Sequence, residues 1–163
     1  MLLAFLHTVA VVVYLGGTVF LGTVLIPALK RRGLDAEGLH VLAGVIRIFH
    51  PVSLASLGLA VLTGAIALTP VKETLGPEYV PRIFGVLALK LLFVFALVLV
   101  SCFTFFALGP RLLRALSGAD EKPDAEGVAK GMQLIQPLQR WYLIAASLGA
   151  VIVYLGLWMS HAG

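Results

Sequence analysis

The chain has 163 residues, of which 60% are hydrophobic and only 12% charged, and its mean hydropathy is +1.03. This composition excludes an ordinary water-soluble domain, because too little polar surface is available to cover so much apolar surface. The net charge of +4 would suit nucleic acid or anionic lipid. Because the charges lie almost entirely between apolar segments and no strong nucleic-acid motif is present, we predict a protein of the lipid bilayer that binds no nucleic acid.

Four apolar segments are each long enough to cross a hydrocarbon core of roughly 30 Å, which takes about 20 helical residues. Inside lipid they must be helices, because open strands would leave backbone groups without hydrogen bonds. We therefore predict an all-α integral membrane protein, one domain of residues 1–163 folded as a four-helix bundle. The predicted helices cover approximately residues 2–29, 43–69, 82–109 and 138–160.

The charges of the connections predict the orientation in the membrane. The first connection carries Lys30, Arg31 and Arg32, and the third, about 110–137, is also basic, whereas the middle connection, 70–81, is balanced. Basic connections stay in the cytoplasm. We expect both termini outside, a multi-pass location in the inner (cytoplasmic) membrane, and a mobile cytoplasmic loop at about 115–130.

In the first segment, His7, Tyr14 and Thr18 are separated by seven and four residues. This spacing places them on one helix face, which we expect to point into the bundle. His7 would lie roughly 9 Å below the outer end of the helix. The imidazole is a candidate ligand, and the alternative is an interfacial histidine bonded to a neighbouring carbonyl.

In the second segment, Arg47, His50 and Ser53 share a face at the inner end. Such residues either anchor the helix among lipid headgroups or contribute to a cofactor site. His50 is too far from the outer end to bind the same iron as His7.

In the third segment, Lys90 interrupts an otherwise apolar run roughly 12 Å below the outer end, a depth similar to that of His7. An ionisable side chain at that depth is costly and marks a candidate functional site, although a lysine can also extend its ammonium to the headgroups.

In the fourth segment, Arg140, Trp141 and Tyr142 predict an anchor at the inner interface. His161, close to the outer end, could approach His7 and join a metal site with Lys90.

No hydrolytic motif and no intramembrane carboxylate is present, so two classes of function remain beside a purely structural subunit. The first is a membrane oxidoreductase or electron carrier with haem b in the bundle, His7 as axial ligand and Lys90 as second ligand or carboxylate partner. A homodimer or larger membrane complex would help to enclose the porphyrin. The cofactor-binding candidates are His7, Tyr14, Arg47, His50 and Lys90.

The second class is copper transport or binding. Cu(I) prefers sulfur donors, and the candidates beyond the first residue are Cys102, Met132 and Met159, which lie at different predicted depths. The sulfur content therefore favours haem over copper.

Three stretches resemble the membrane domain of the copper-resistance protein D (CopD) family. They are LHTVAVVVYLGGTVFLGTVLIPAL, RIFHPVSLASLGLAVLTG and ALKLLFVFALVLV with the following GPRLLR. The matching positions are His7, the Gly16-Gly17 pair, Arg47, the Thr63-Gly64 pair and Lys90. The resemblance covers about residues 4–115 and implies a shared helical bundle with a site at His7 and Lys90.

The HemJ type of protoporphyrinogen oxidase, a small haem-associated membrane protein, is similar at His7 and at Lys90-Leu91. Tyr14 stands where both families usually have tryptophan, and the Asn-Glu-Val-Pro-like motif of the oxidase is missing around Arg140. This resemblance implies haem binding and porphyrin oxidation as an expectation.

Overall fold

A computed structural model describes residues 1–33, 35–75, 79–116 and 125–161, and all regular structure in these ranges is helical. Four helices are long and apolar enough to cross a membrane. This confirms the all-helical prediction with four helices of spanning length. We name them the first to fourth spans: Leu2–Arg31, Ala36–Ala67, Gly85–Leu116 and Glu126–Trp158.

Two of the spans consist of several helical pieces. The first contains α1, a π-helical segment and α2; the third contains most of α4, a second π-helical segment and α5. The bounds in chain order are α1 Leu2–Val19, π segment Phe20–Leu25, α2 Ile26–Arg31, α3 Ala36–Leu75, α4 Tyr79–Phe103, π segment Thr104–Leu108, α5 Gly109–Leu116 and α6 Ala125–His161.

The second and fourth spans belong to helices that are longer than the sequence predicted. α3 begins at Ala36 and α6 at Ala125, because their first turns also carry apolar residues that pack in the bundle. Leu39 and Leu42 are fully buried in the added part of α3. Membrane thickness set the predicted lengths, whereas packing between helices extends them. Of the loop expected at about 115–130, residues 117–124 lie outside the described residues, and 125–130 are helical.

Each π-helical segment ends two residues before a proline. Ile26 N–H donates to the carbonyl five residues earlier, and so does Gly109 N–H, because the next residue is Pro27 or Pro110 and has no N–H to continue the helical bonding. In this register Gly22 O has no helical donor. Nε2 of Gln139 in the fourth span donates to it at 3.1 Å, which joins the two spans.

The largest cluster of buried side chains lies at the end of the bundle that carries Lys30, Arg31 and Arg114, which we name the basic end. All four spans contribute large aliphatic residues to it. Its fully buried members are Leu21, Ile26, Leu39, Leu42, Ile46, Leu112, Ile135 and Leu138. Because these large side chains from all four spans are buried together, the basic end holds the bundle together by close packing.

The opposite end, which carries Leu2 and Trp158, is named the terminal end. A smaller buried cluster at mid-height takes one residue from each span: Tyr14, Leu57, Leu97 and Ala145. In the first two spans, the buried residues between this cluster and the terminal end are small, namely Ala10, Ala60 and Thr63. In the described parts of the third and fourth spans, no side chain beyond Leu97 or Gly149 is buried. The terminal end therefore lacks a cluster of large buried side chains.

Candidate functional site

His7 lies between the first and second spans near the terminal end, half-buried, with its Nδ1 atom 3.0 Å from the Thr63 hydroxyl. The same hydroxyl is 2.6 Å from the Leu59 carbonyl. If this hydroxyl donates to the carbonyl, it can only accept from the ring, which in a neutral imidazole assigns the proton of His7 to Nδ1. The lone pair of His7 Nε2 remains free for a ligand.

Gly64 is the residue that lets the His7 ring lie against the second span. A Cβ atom at this position would be 3.2 Å from His7 Cε1, which is closer than most side chains approach each other. Thr63 and Gly64 thus position the His7 ring: Thr63 forms a hydrogen bond with it, and Gly64 leaves room for it because glycine has no side chain.

Lys90 lies between the third and fourth spans, also half-buried. Its Nζ atom lies over Gly156, where a Cβ atom would be only 3.3 Å away. The pattern repeats that of His7, since a polar side chain of one span rests on a glycine of the next. The ammonium makes no hydrogen bond or ion pair within the described parts of the chain.

A hydrogen bond at mid-height shows how the faces of the first and third spans are oriented. Tyr14 Oη lies 2.6 Å from Ser101 Oγ, and because Ser101 donates to the Leu97 carbonyl, Tyr14 is the donor. His7 is seven residues from Tyr14 and Lys90 eleven from Ser101, and both separations return to nearly the same helix face. His7 and Lys90 therefore belong to two faces that meet at this bond.

Along the helices, His7 lies about 10 Å and Lys90 about 16 Å from the Tyr14–Ser101 bond, both toward the terminal end. No hydrogen bond joins them in the described ranges; each is held by its own partner span. The side chain of His161 lies outside the described residues.

His50 and Arg47 occupy other parts of the molecule. His50 is 7% exposed, and its Nε2 is 2.8 Å from the hydroxyl of Tyr142 in the fourth span. It lies about 21 Å along the second span from Gly64, the glycine beside His7. Arg47 is exposed at the basic end, where it lines a cavity of about 210 Å³ together with His40. Neither residue is near His7.

Two residues of these polar contacts were missed in the sequence. Thr63 enters the sequence prediction only through the family resemblance, although it stands on the second span at the depth of His7. Tyr142, predicted as an interfacial anchor, is 4% exposed and belongs to the basic-end cluster. The signal was available, because Ile135, Leu138, Tyr142 and Ala145 recur every three or four residues and form one buried helix face.

A cavity of about 20 Å³ lies at mid-height among polar side chains of all four spans, including Tyr14, His50 and Ser101. Its volume is that of a water molecule and far below that of a porphyrin. His7 and Lys90 do not line this cavity.

Within the described residues, no three His, Cys, Asp or Glu side chains lie together as a metal site. A haem needs only one or two axial donors, since the porphyrin supplies the in-plane nitrogens, and the free Nε2 of His7 meets that requirement. No family model, curated protein or solved structure matches the chain.

Proposed function

We propose that the protein is a membrane haem b-binding protein that serves electron transfer or porphyrin oxidation, with His7 Nε2 as an axial ligand. The observation that carries the proposal is the hydrogen bond from His7 Nδ1 to Thr63, which leaves Nε2 as a lone-pair donor. Histidines that bind metals almost always have their other ring nitrogen held in this way.

The surroundings of His7 support the same proposal. The ring is half-buried among apolar helices and rests on Gly64. An apolar setting with one imidazole donor is what haem b requires, and bound haem would supply the one-electron chemistry. Thr63 fixes the tautomer and orientation of the ring.

Lys90 is proposed to serve either as the second axial ligand or as the partner of a haem propionate. An ammonium is costly in a membrane-spanning helix without a partner, and among the described residues no carboxylate bonds to it. An anionic group or a metal ion from a ligand would give it one.

The proposed orientation places the basic end in the cytoplasm, by the distribution of Lys and Arg, with the haem in the outer half of the inner membrane. The exposed side chains of the third and fourth spans at the terminal end suit enclosure by a second copy or a larger membrane complex. Copper binding stays a prediction from the sequence, and no contact in the described residues favours it.

The test is the absorption spectrum of the protein purified from haem-replete cells. We expect a Soret band, and we expect His7→Ala to abolish or strongly shift it because the axial donor is lost. His40→Ala is the matched control: it removes an exposed histidine from the same chain, and the spectrum should not change. A Soret band identical in His7→Ala would contradict the proposed ligand.

Two further variants separate the roles of the neighbouring residues. Thr63→Val keeps the shape of the side chain but removes the bond to Nδ1, so the band should remain while its position or the haem affinity changes by about tenfold, the range for partners of metal-bound histidines. Lys90→Met should alter the spectrum if the lysine is a ligand, and only the affinity if it pairs with a propionate. A colourless preparation that binds Cu(I) would contradict haem binding and favour copper binding.

A further inference from the structure

The small cavity at mid-height is built from polar groups of all four spans, although it lies in the apolar middle of the bundle. Tyr14 and Thr18 come from the first span, His50 from the second, Thr104 from the third and Tyr142 from the fourth. Polar groups inside a membrane-spanning bundle are rare and costly, so their convergence at a cavity of about 20 Å³ points to a ligand of matching size.

The serine and threonine hydroxyls around the cavity each donate their one hydrogen bond to a backbone carbonyl. Thr18, Ser53 and Thr104 each donate to a backbone carbonyl three or four residues earlier in their own helix, at 2.7–2.9 Å. Ser101 does the same at 2.8 Å and in addition accepts from Tyr14. A hydroxyl has one proton and two lone pairs. These oxygens therefore offer acceptor positions only, and a molecule that they bind must be a hydrogen-bond donor.

His50 supplies the one imidazole among the described residues of the cavity, and only one of its nitrogens has a described partner. Nε2 is paired with the Tyr142 hydroxyl at 2.8 Å, whereas Nδ1 makes no hydrogen bond with a described residue. If Tyr142 donates to Nε2, Nδ1 carries a proton that needs an acceptor; if Nε2 donates, Nδ1 needs a donor. Water is the small molecule that can satisfy either case.

We propose that this cavity binds a single water molecule, which donates to the hydroxyl oxygens and pairs with Nδ1 of His50. A water needs about 10–15 Å³ and two to four polar partners, and the cavity offers both. The water places the His50–Tyr142 pair in contact with exchangeable protons in the middle of the bundle. This proposal does not depend on haem, because His50 lies far from His7.

The experiment is ¹⁵N-histidine NMR of the full-length protein in lipid nanodiscs, with magnetisation transfer from water to the His50 ring. We expect transfer to His50 despite its burial. Thr104→Val, combined with Ser53→Ala, removes two acceptor oxygens while it keeps His50 and Tyr142. It should reduce the transfer by roughly fivefold for each hydrogen bond of ordinary strength that the water loses.

Thr23→Val is the matched control, because Thr23 also donates to its own helix, at 2.7 Å, but is exposed and does not line the cavity. Its spectrum should equal that of the parent chain. Unchanged signals from His7 and His40 in all variants would show that the fold is kept. The proposal is overturned if the parent shows no transfer, if the control loses as much as the double variant, or if replacing Na⁺ by choline abolishes the signal, which would indicate a monovalent cation.

Discussion

The two ends of the bundle are built differently. At the basic end, large aliphatic side chains from all four spans are fully buried. There Gln139 of the fourth span also donates to the Gly22 carbonyl of the first span, which Pro27 cannot bond because it has no N–H. At the terminal end, the buried residues of the first two spans are small, and His7 and Lys90 rest on glycines. Dense packing and the candidate haem ligands therefore occupy opposite ends.

This difference indicates a division of tasks. Lipid tails are as apolar as leucine, so helices in a membrane are held together by close packing and hydrogen bonds rather than by the hydrophobic effect. The basic end has both and can determine the structure by itself. The terminal end lacks a cluster of large buried side chains, and it is there that the polar side chains of His7 and Lys90 lie half-buried.

The largest effect should come from opening a cavity at the basic end. Leu138 is fully buried, and Leu138→Ala should lower the free energy of unfolding by about 2–5 kcal/mol, because its neighbours cannot fill the space. Leu92→Ala is the same change on the terminal side of the third span, where Leu92 is 62% exposed, and should cost far less. Reversible unfolding in mixed detergent micelles measures both, and equal losses would remove the distinction between the ends.

Replacing a glycine by alanine should also lower the stability differently at the two ends. A Cβ atom at Gly109 would be 2.5 Å from the His50 ring, so Gly109→Ala forces the ring or the helix to move. We expect a loss of about 1–3 kcal/mol, as is usual for overpacked sites.

Gly85→Ala is the control for this change. No heavy atom lies within 4 Å of a Cβ atom at Gly85, which is helical and exposed on the terminal side. The same unfolding measurement should show no loss, since alanine is the better helix former. A destabilised Gly85→Ala with an unaffected Gly109→Ala would contradict the close contact at His50.

Much of the fold could be predicted from the sequence, because membrane thickness imposes a length on each apolar segment. The number and helical nature of the spans follow from that constraint. The lengths of α3 and α6 did not follow, since Leu39 and Ile135 stand outside the most apolar windows and are buried only through packing at the basic end. The two π-helical segments were also missed, although Pro27 and Pro110 mark both of them.

Of the candidate site, the sequence could provide the residues but not their partners. Helical spacing and depth selected His7 and Lys90, whereas the rotation of each helix about its axis decides what they contact. That rotation is set by distant groups such as Tyr14 and Ser101, whose bond links two spans 87 residues apart in the chain. The same uncertainty made His50 and Arg47 look equivalent, although one is buried against Tyr142 and the other exposed.

The smallest of the three effects concerns a single hydrogen bond. Tyr142→Phe keeps the aromatic ring in the basic-end cluster but removes the hydroxyl that lies 2.8 Å from His50 Nε2. The loss should be about 1 kcal/mol, and toward 3 kcal/mol if the buried ring nitrogen finds no other partner. Tyr154→Phe, at a site 67% exposed on the terminal side of the same span, should have no measurable effect. Both variants are compared by unfolding in the same micelles. Equal stability of the two would mean that the His50–Tyr142 bond contributes nothing to holding the second and fourth spans together, and that the basic end depends on aliphatic packing and on the Gln139–Gly22 bond instead.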